Sequence, residues 1–449
     1  MAVHRPPLAG QRTDMYPMTP PAVFVSDRVL NDPECVQRLQ AFIEATDAPG
    51  YEVVTDEEIP AMLERDVWMR TRGRAGARER IFDPVFFFNT FRFDGRRDDV
   101  RRRIADANPG FDIDTLPDRF LGYRHFTWFN SGQDPHDIKP NPHHVCRPCW
   151  RLNISPGCPH ECAYCSWTGF MVVGLNMSPY LEHLDRLIQA NPWQLTYLVD
   201  DVSDVLVYEP ELNLFSEMVR FFGAKKDRYV VAHTKSANVD FLRHLPHNGK
   251  TIMCYSLSAH TQSTQLEKVA GTTDQRIEAA RKCQEWGMPI RFKFKPIIPV
   301  RGWRDEATAM IRQVFERTRP DNLSMTVLMW MSFEELAACT DLDLLDPIFV
   351  DAARKSAASG GQPERLRPFP HEVRREIYEF YYRQVREFDR EVPLTLSTES
   401  LAMWRDLGPM LGMTPSNYTC GCGPCALPGM KTIPANPWQT ARRNLPAGS

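Results

Sequence analysis

The 449-residue chain lacks any run of about 18 apolar residues, the length needed to span a membrane. Its opening residues, MAVHRPPLAGQRTDMYP, contain no apolar core of the kind a secretion signal requires. It also lacks an excess of charge of one sign, since its formal net charge is −3. These absences predict a cytoplasmic protein that does not contact membranes and has no global basic field to hold nucleic acid.

Cysteine is plentiful, and its spacing is uneven. In a reducing cytosol the twelve cysteines are expected to be metal ligands or buried apolar residues, not disulfides. Five of them fall within residues 146–165, and three more fall within residues 420–425. The other four are isolated and are expected to be small buried residues: Cys35, Cys254, Cys283 and Cys339.

The middle of the chain alternates predicted strands and helices. This alternation favours parallel strands joined by helical crossovers, and about six such units predict a partial (β/α)6 TIM-type barrel. We divide the chain into four segments, namely an N-terminal α/β cap with a disordered start, an inserted Arg-rich region, the barrel, and a helical, Cys-rich C-terminal extension. Their predicted ranges are 1–55, 56–145, 146–345 and 346–449.

The inserted region carries two arginine-rich stretches, RTRGRAGARER and RRDDVRRR. A run of charge usually marks a solvated face. The functional alternative is contact with phosphate groups. The sequence leaves both interpretations open.

The segment Cys158-Pro-His-Glu-Cys162-Ala-Tyr-Cys165 follows the predicted strand RLNIS and the turn Pro156-Gly157. Three thiolates on one loop can bind three irons of a [4Fe-4S] cluster, which leaves the fourth iron open to a substrate. The amino and carboxylate groups of S-adenosylmethionine (SAM) can chelate that iron. An electron from the cluster then cleaves SAM to a 5′-deoxyadenosyl radical, so the spacing and context identify a radical SAM motif.

Two alternatives accompany this motif. A zinc site can use Cys158, His160, Cys162 and Cys165 as its four ligands. Tyr164, just before the third cysteine, is expected to lie against the adenine of SAM, and its alternative is a ring packed in the core.

With this motif, the chain resembles spore photoproduct lyases, radical SAM enzymes that repair a thymine dimer in spore DNA. The resemblance covers residues 22–55 and 150–305, including HTKSANVDFLRHLPHNGKT and KPIIPVRGW. It implies a barrel of the radical SAM type and an external electron donor of the flavodoxin or ferredoxin type. It also implies that Ser203, Lys235 and Ser256 contact SAM at strand ends, with Lys235 neutralising the SAM carboxylate. Ordinary solvated or turn residues are the alternative for these three.

The chain departs from the family at two positions. Asp201 stands where the repair lyases carry the cysteine that donates a hydrogen atom, and Ser166 replaces their tyrosine after the third cluster cysteine. A carboxyl O–H bond is too strong to donate a hydrogen atom readily. We therefore expect the fold and SAM cleavage to be retained and the thymine-dimer reaction to be absent. Asp201 is predicted to hold a proton or to bind a substrate hydroxyl or amine, and the alternative is a solvated acid.

A second set of cysteines comprises Cys146 and Cys149 before the barrel and Cys420, Cys422 and Cys425 in the extension. Their five thiolates are enough for an auxiliary iron–sulfur cluster or a zinc site. Free or buried thiols are the alternative.

The leading hypothesis is a radical SAM enzyme acting on an unidentified nucleoside, sugar or peptide-derived metabolite. The runner-up is a DNA-lesion repair lyase with a different hydrogen donor, for which DNA is the partner. An alternative from another class is a non-enzymatic, metal-stabilised binding module.

Overall fold

The computed structural model describes residues 18–46, 48–65, 84–129, 142–167, 170–267, 269–360, 366–433 and 444. Most of the expected disordered start and the whole RTRGRAGARER stretch lie outside the described residues. Within the described part, no helix is both long and apolar enough to cross a membrane.

A four-stranded parallel sheet lies on the N-terminal side of the molecule, with strand order β2-β1-β3-β6. Strands β1, β3 and β6 are buried and rich in Val and Phe, as suits strands covered on both faces, whereas the edge strand β2 is exposed at two of its three residues. Their bounds are Val23–Ser26 (β1), Glu52–Val54 (β2), Val85–Asn89 (β3) and Phe170–Gly174 (β6).

An eight-stranded sheet, in the order β12-β11-β10-β9-β8-β7-β5-β4, forms the larger body. Its strands are parallel except β4, which pairs antiparallel with β5. The bounds are Phe126–Phe129 (β4), Cys149–Leu152 (β5), Thr196–Val199 (β7), Tyr229–Thr234 (β8), Thr251–Leu257 (β9), Ile290–Ile297 (β10), Asn322–Val327 (β11) and Leu394–Leu396 (β12). The mixed α/β fold with parallel sheets is confirmed, and closure into a partial barrel stays a prediction.

Helices connect and cover the strands. The crossover helix α6 begins with a capping box, in which Thr272 and Gln275 satisfy each other's backbone N–H groups. The α-helices of the described residues are Pro33–Ala45 (α1), Ile59–Arg65 (α2), Arg97–Ala107 (α3), Met177–Ala190 (α4), Leu214–Gly223 (α5), Thr273–Glu285 (α6), Trp303–Arg317 (α7), Phe333–Cys339 (α8), Pro347–Ala358 (α9), His371–Phe388 (α10) and Leu401–Leu411 (α11).

The four-stranded sheet draws on three of the four predicted segments. Strand β3 comes from the predicted insertion, and β6 comes from the predicted barrel segment, directly after the cysteine loop. The cysteine loop therefore runs between the two sheets, because β5 before it and β6 after it belong to different sheets. The boundaries of the four predicted segments stay a prediction.

The Cys-rich extension lies across the amino ends of three strands of the larger sheet. The backbone N–H groups of Leu195 and Thr196, at the start of β7, both donate to the carbonyl of Pro424, at 2.8 and 3.0 Å. Arg291, in β10, donates to the Gly421 carbonyl at 3.2 Å, and Asn322, at the start of β11, donates to Thr419 at 3.0 Å. The tail thus meets the face of the sheet opposite the helices.

Candidate active site

One cavity of about 260 Å³ opens at the carboxyl ends of the parallel strands, where ligands of such sheets bind. It contains every residue that the sequence predicted for the cluster, for SAM and for the substrate. These residues are Cys158, Cys162, Tyr164, Cys165, Asp201, Ser203, Lys235 and Ser256. The predicted positions therefore converge, although their individual roles stay predictions.

The three-cysteine loop is fixed by backbone contacts. The N–H of Cys158 donates to the Trp167 carbonyl at 2.8 Å, and that of Cys165 donates to the Cys162 carbonyl at 2.9 Å. Gly157, at φ +109°, opens the loop, and a Cβ there would lie 2.2 Å from the Phe170 carbonyl oxygen. Burial raises the pKa of the Cys162 thiol to about 12 and that of Cys158 well above its ordinary value. A bound metal would deprotonate both thiols.

The donor set of this loop fits an iron–sulfur cluster better than a single zinc ion. Among the described residues, no group of three or more His, Cys, Asp or Glu side chains is placed to hold one metal ion. His160, the fourth ligand of the zinc alternative, instead pairs through Nε2 with Asp204 at 2.7 Å. A cluster is held by one thiolate on each iron, so its ligands need not converge on one point. Cys158, Cys162 and Cys165 meet that requirement.

Asp204 connects the cysteine loop to the strand ends. Its buried carboxylate pairs with His160 and accepts hydrogen bonds from the Thr234 hydroxyl at 2.9 Å and the Lys235 N–H at 2.7 Å. Burial raises the pKa of Asp204, but the charge of His160 and these hydrogen bonds outweigh it and hold the pKa below its ordinary value. Asp204 is therefore ionised, and its contacts connect the cysteine loop to the end of β8.

Glu267 holds two of the four side chains predicted to contact SAM, Tyr164 and Lys235. The fully buried carboxylate pairs with Lys235 Nζ at 2.5 Å and with Arg276 at 2.6 Å, and it accepts a hydrogen bond from the Tyr164 hydroxyl. Although burial acts against ionisation, these two cations keep the pKa of Glu267 far below its ordinary value. Sequence reasoning missed this residue, although it lies in the stretch STQLEKVAG, inside the region of family resemblance.

Asp201 forms an ion pair with Arg151. The Arg151 guanidinium also lies over the Phe129 ring, 3.4 Å from its centroid. The two predicted serines are less engaged: Ser203 Oγ is 3.5 Å from Ser155 Oγ, and Ser256 is half-buried on β9. Asp201 is thus not the solvated acid of the alternative interpretation.

Another wall of the cavity is formed by His233 of β8 and by Lys293 and Lys295 of β10. The two lysines lie on the same side of β10 because alternate residues of a strand share one face. Lys293 donates to the Cys422 sulfur at 3.2 Å. Burial, with a smaller contribution from Lys293, lowers the pKa of Lys295 to about 8. Burial likewise lowers the pKa of His233 to about 4. The period-two spacing in FKFKP was the sequence signal for the lysine pair.

The second set of cysteines is brought together only in part. Cys146, Cys149, Cys420 and Cys422 line one small cavity beneath the active site. Cys425 points elsewhere, since its thiol donates to the Trp193 carbonyl at 3.3 Å. Cys422 forms a hydrogen bond with Cys420, and this bond, together with the nearby charge of Lys293, lowers the pKa of Cys422. Cys146 and Cys422 also reach the active-site cavity.

A parallel sheet with a three-cysteine loop at its carboxyl ends is the arrangement expected from the predicted radical SAM motif. Residues 147–334 match the family model for spore photoproduct lyase. The spore photoproduct lyase of Bacillus subtilis (strain 168) is 26% identical over 178 residues, which are 37% of this chain and 50% of that protein. That of Geobacillus sp. (strain Y412MC61) is 23% identical over 186 residues, 39% of this chain and 53% of that protein. The chain thus aligns with about half the length of these curated relatives.

Solved structures agree with this relationship at the level of the fold. A spore photoproduct lyase complexed with dinucleoside spore photoproduct superimposes with a TM-score of 0.55 at 15% identity, covering 85% of this chain and 98% of that chain. A mutant with bound AdoMet and dinucleoside spore photoproduct gives a TM-score of 0.54 at 14% identity, over the same shares of the two chains. The resemblance predicted from the sequence is confirmed: this chain is similar to spore photoproduct lyases in sequence over residues 147–334 and in its fold.

Proposed function

We propose that the protein is a radical SAM enzyme that abstracts hydrogen from a substrate. Cys158, Cys162 and Cys165 would hold a [4Fe-4S] cluster, and Tyr164, Ser203, Lys235 and Ser256 would contact SAM. When bound, the cluster supplies the electron that cleaves SAM reductively to a 5′-deoxyadenosyl radical. The observation that carries this proposal is that all seven side chains line the same cavity as Asp201.

Several residues prepare this cavity for SAM. Glu267 fixes the ammonium of Lys235 and the hydroxyl of Tyr164, so these side chains lose little rotamer freedom when a ligand binds. Asp204 fixes the cysteine loop against β8. Asp201, held by Arg151, presents a carboxylate oxygen that can accept a hydrogen bond from a substrate hydroxyl or amine.

The substrate of the leading proposal is a nucleoside, a sugar or a peptide-derived metabolite. In this proposal the enzyme is cytoplasmic, and a flavodoxin or ferredoxin type protein delivers the electron. Asp201 supports a substrate other than the thymine dimer, because a carboxyl group does not replace a thiol as hydrogen donor.

A DNA-lesion lyase is the second candidate, and one observation favours it. Cys422 lines the active-site cavity, so the C-terminal extension can take the place of the missing donor in the molecules whose Cys422 sulfur is protonated. Cys254, the nearest cysteine to Ser256 in sequence, is fully buried against Leu198, Val231 and Ile252 and is not part of the cavity wall.

The test is SAM cleavage by anaerobically reconstituted protein. Dithionite and SAM should release 5′-deoxyadenosine, and replacing Cys158, Cys162 and Cys165 by Ala should abolish the release. Cys339→Ala, at a half-buried position at the end of α8, is the matched control and should cleave SAM normally. Normal cleavage by the triple variant would refute the proposal. Iron binding without any SAM cleavage by the wild type would favour a metal-stabilised binding module.

A further inference from the structure

A second, larger cavity adjoins the active site. It has a volume of about 570 Å³, within the range of small-molecule sites. It lies between the two sheets, and its wall includes residues of β3, β4, β5 and β6. The two cavities share four wall residues: Arg151, Trp167, Asp201 and Val202. A molecule in the larger cavity therefore reaches the side chain that replaces the hydrogen-donor cysteine.

Positive charge accumulates on one side of this cavity, around Asp118. Arg97 Nε, Arg101 Nη1 and Arg124 Nε lie 2.9, 3.1 and 2.8 Å from the carboxylate oxygens of Asp118. Arg97 also pairs with Asp98 at 2.8 Å, but the Asp98 side chain is 82% exposed. The Arg124 side chain is 67% exposed. The single buried carboxylate of Asp118 does not fully neutralise the three guanidinium groups. Asp114 also approaches Arg101 at 3.4 Å, but its side chain is 92% exposed, so water screens its charge.

Arg119 adds a fourth cation to the wall, and it has no acidic partner among the described residues. Its Nε is buried without a hydrogen-bond acceptor in the part of the chain that the structure describes. Burial lowers the pKa of Arg119 to about 10. The Arg119 side chain is half-buried and its Nε lacks an acceptor, so this position favours an anionic ligand that accepts from the guanidinium.

The position of Arg124 depends on a tight turn that precedes it. Gly122 adopts φ +79°, and a Cβ there would lie 2.4 Å from the Thr90 carbonyl oxygen. The N–H of Arg92 donates to the Gly122 carbonyl at 2.7 Å. This turn brings the chain back at Arg124, whose guanidinium then meets Asp118 at the cavity wall.

Aromatic rings line the part of the cavity nearer the active site. Trp128 and Phe129 come from β4, and Trp167 comes from the end of the cysteine loop. Flat rings of this kind stack on planar ligands. The cavity therefore combines an anion-binding end with an aromatic end that leads to Asp201.

We propose that this cavity binds a small phosphorylated molecule, with its phosphate at Arg119 and Arg124 and a planar or sugar portion directed towards Asp201. Guanidinium groups suit phosphate because their fork of N–H donors matches its oxygens. The volume fits a nucleotide-sized ligand, and the chain's net charge of −3 provides no general attraction for a nucleic acid polymer. Phosphate binding in this cavity does not depend on the proposed function, whereas a role of the bound molecule as the substrate does.

The experiment measures binding of inorganic phosphate to the reconstituted protein at low salt, by equilibrium dialysis. Arg119→Gln and Arg124→Gln should each weaken binding by about tenfold or more, the loss expected for a charged hydrogen bond. The matched control is Arg102→Gln, on α3 but outside the cavity, where the side chain is 70% exposed and pairs with Asp99. It removes the same charge and should bind phosphate like the wild type.

Two further measurements identify the outcome. Arg119→Gln should keep or raise the melting temperature, because it removes a charge that has no acidic partner among the described residues. Equal weakening in Arg119→Gln and Arg102→Gln, or no saturable phosphate binding at all, would overturn the proposal. So would binding of a single-stranded oligonucleotide that depends on Arg119 while free phosphate does not bind, since the cavity would then serve nucleic acid.

Release of 5′-deoxyadenosine is measured on the same samples. Phosphate binding without SAM cleavage would refute the proposed function and leave the phosphate site intact. SAM cleavage without phosphate binding would overturn the phosphate site alone.

Discussion

The carboxylate of Asp201 pairs with the guanidinium of Arg151 at the boundary between the two cavities. Because the pair is part of both walls, a ligand on either side contacts it. In the proposed function, Asp201 would therefore bind or orient a substrate from this boundary.

Asp201→Asn tests that placement. The substitution keeps the side-chain shape but leaves Arg151 without its anion, so binding at the shared wall should weaken. Substrate turnover should fall about tenfold or more, which is the loss expected when a charged hydrogen bond is removed. Release of 5′-deoxyadenosine without substrate should stay close to that of the wild type. The contrasting variant is Asp204→Asn, which should impair both because Asp204 ties the cysteine loop to β8. Equal effects of the two variants on uncoupled SAM cleavage would contradict this role for Asp201.

Spore photoproduct is a direct test of the repair alternative. Incubated with the enzyme, SAM and reductant, it should give no clean yield of repaired thymines, because Asp201 cannot donate a hydrogen atom. Chromatography of the products measures the yield of repaired thymines. Efficient repair by the wild type, lost in Cys422→Ala, would instead show that the extension supplies the donor and would restore a DNA-repair function.

The second set of cysteines predicts a metal site with a defined membership. Among the described residues these thiols are not placed to hold one ion, so a metal here is expected to be a cluster with one thiolate on each iron. Replacing Cys146, Cys149, Cys420 and Cys422 by Ala should remove it while the first cluster stays, because these four line one cavity. Cys425→Ala is the control within the same motif and should retain the metal, since its thiol bonds to the Trp193 carbonyl. Elemental analysis then distinguishes iron from zinc. Unchanged metal content in the fourfold variant would show that no second site exists.

Glu209 should make stability depend on pH. Burial raises its pKa from 4.5 to about 7, although hydrogen bonds from Ser216 and Phe215 oppose the shift. The folded state thus favours the protonated acid, so this contribution to stability is present below about pH 4.5 and is lost as the pH rises towards 7. The full shift corresponds to about 3 kcal/mol.

Glu209→Gln should therefore raise the free energy of unfolding at about pH 8 and have a smaller effect near pH 5, as measured by urea denaturation. Glu182→Gln, on the exposed face of α4, is the control and should show no such trend. A difference between Glu209→Gln and wild type that is the same at both pH values would rule out titration of Glu209 as the cause.

Local sequence was enough to select residues that line one cavity, because their positions follow from two rules. The cysteine spacing marks the loop, and the carboxyl ends of parallel strands meet at one edge, which gathers Ser203, Lys235 and Ser256. The partners of these residues were not predictable in this way. Glu267 reaches Lys235 across 32 positions of sequence, through the fold of the segment between β9 and α6.

Long-range pairing also explains the other omissions. Strand β6 joins β3 across more than eighty residues, and no local pattern encodes that choice of sheet. Asp118 and Arg97 meet through the packing of α3 against the turn before β4. The arginine-rich stretch could therefore be recognised in the sequence, but the cavity that its arginines line could not. In the tail, Cys422 and Cys425 look equivalent in sequence, and only the turn at Gly423 and Pro424 sends their thiols to different places.

The position of the C-terminal extension has a consequence for biogenesis. The strand and loop that carry Cys158, Cys162 and Cys165 leave the ribosome well before Cys420 and Cys422, since synthesis runs from the N-terminus. Until the tail arrives, the amino ends of β7, β10 and β11 lack the contacts made by Thr419, Gly421 and Pro424. The amino ends of these strands are therefore the part of the larger sheet whose contacts are completed last during synthesis.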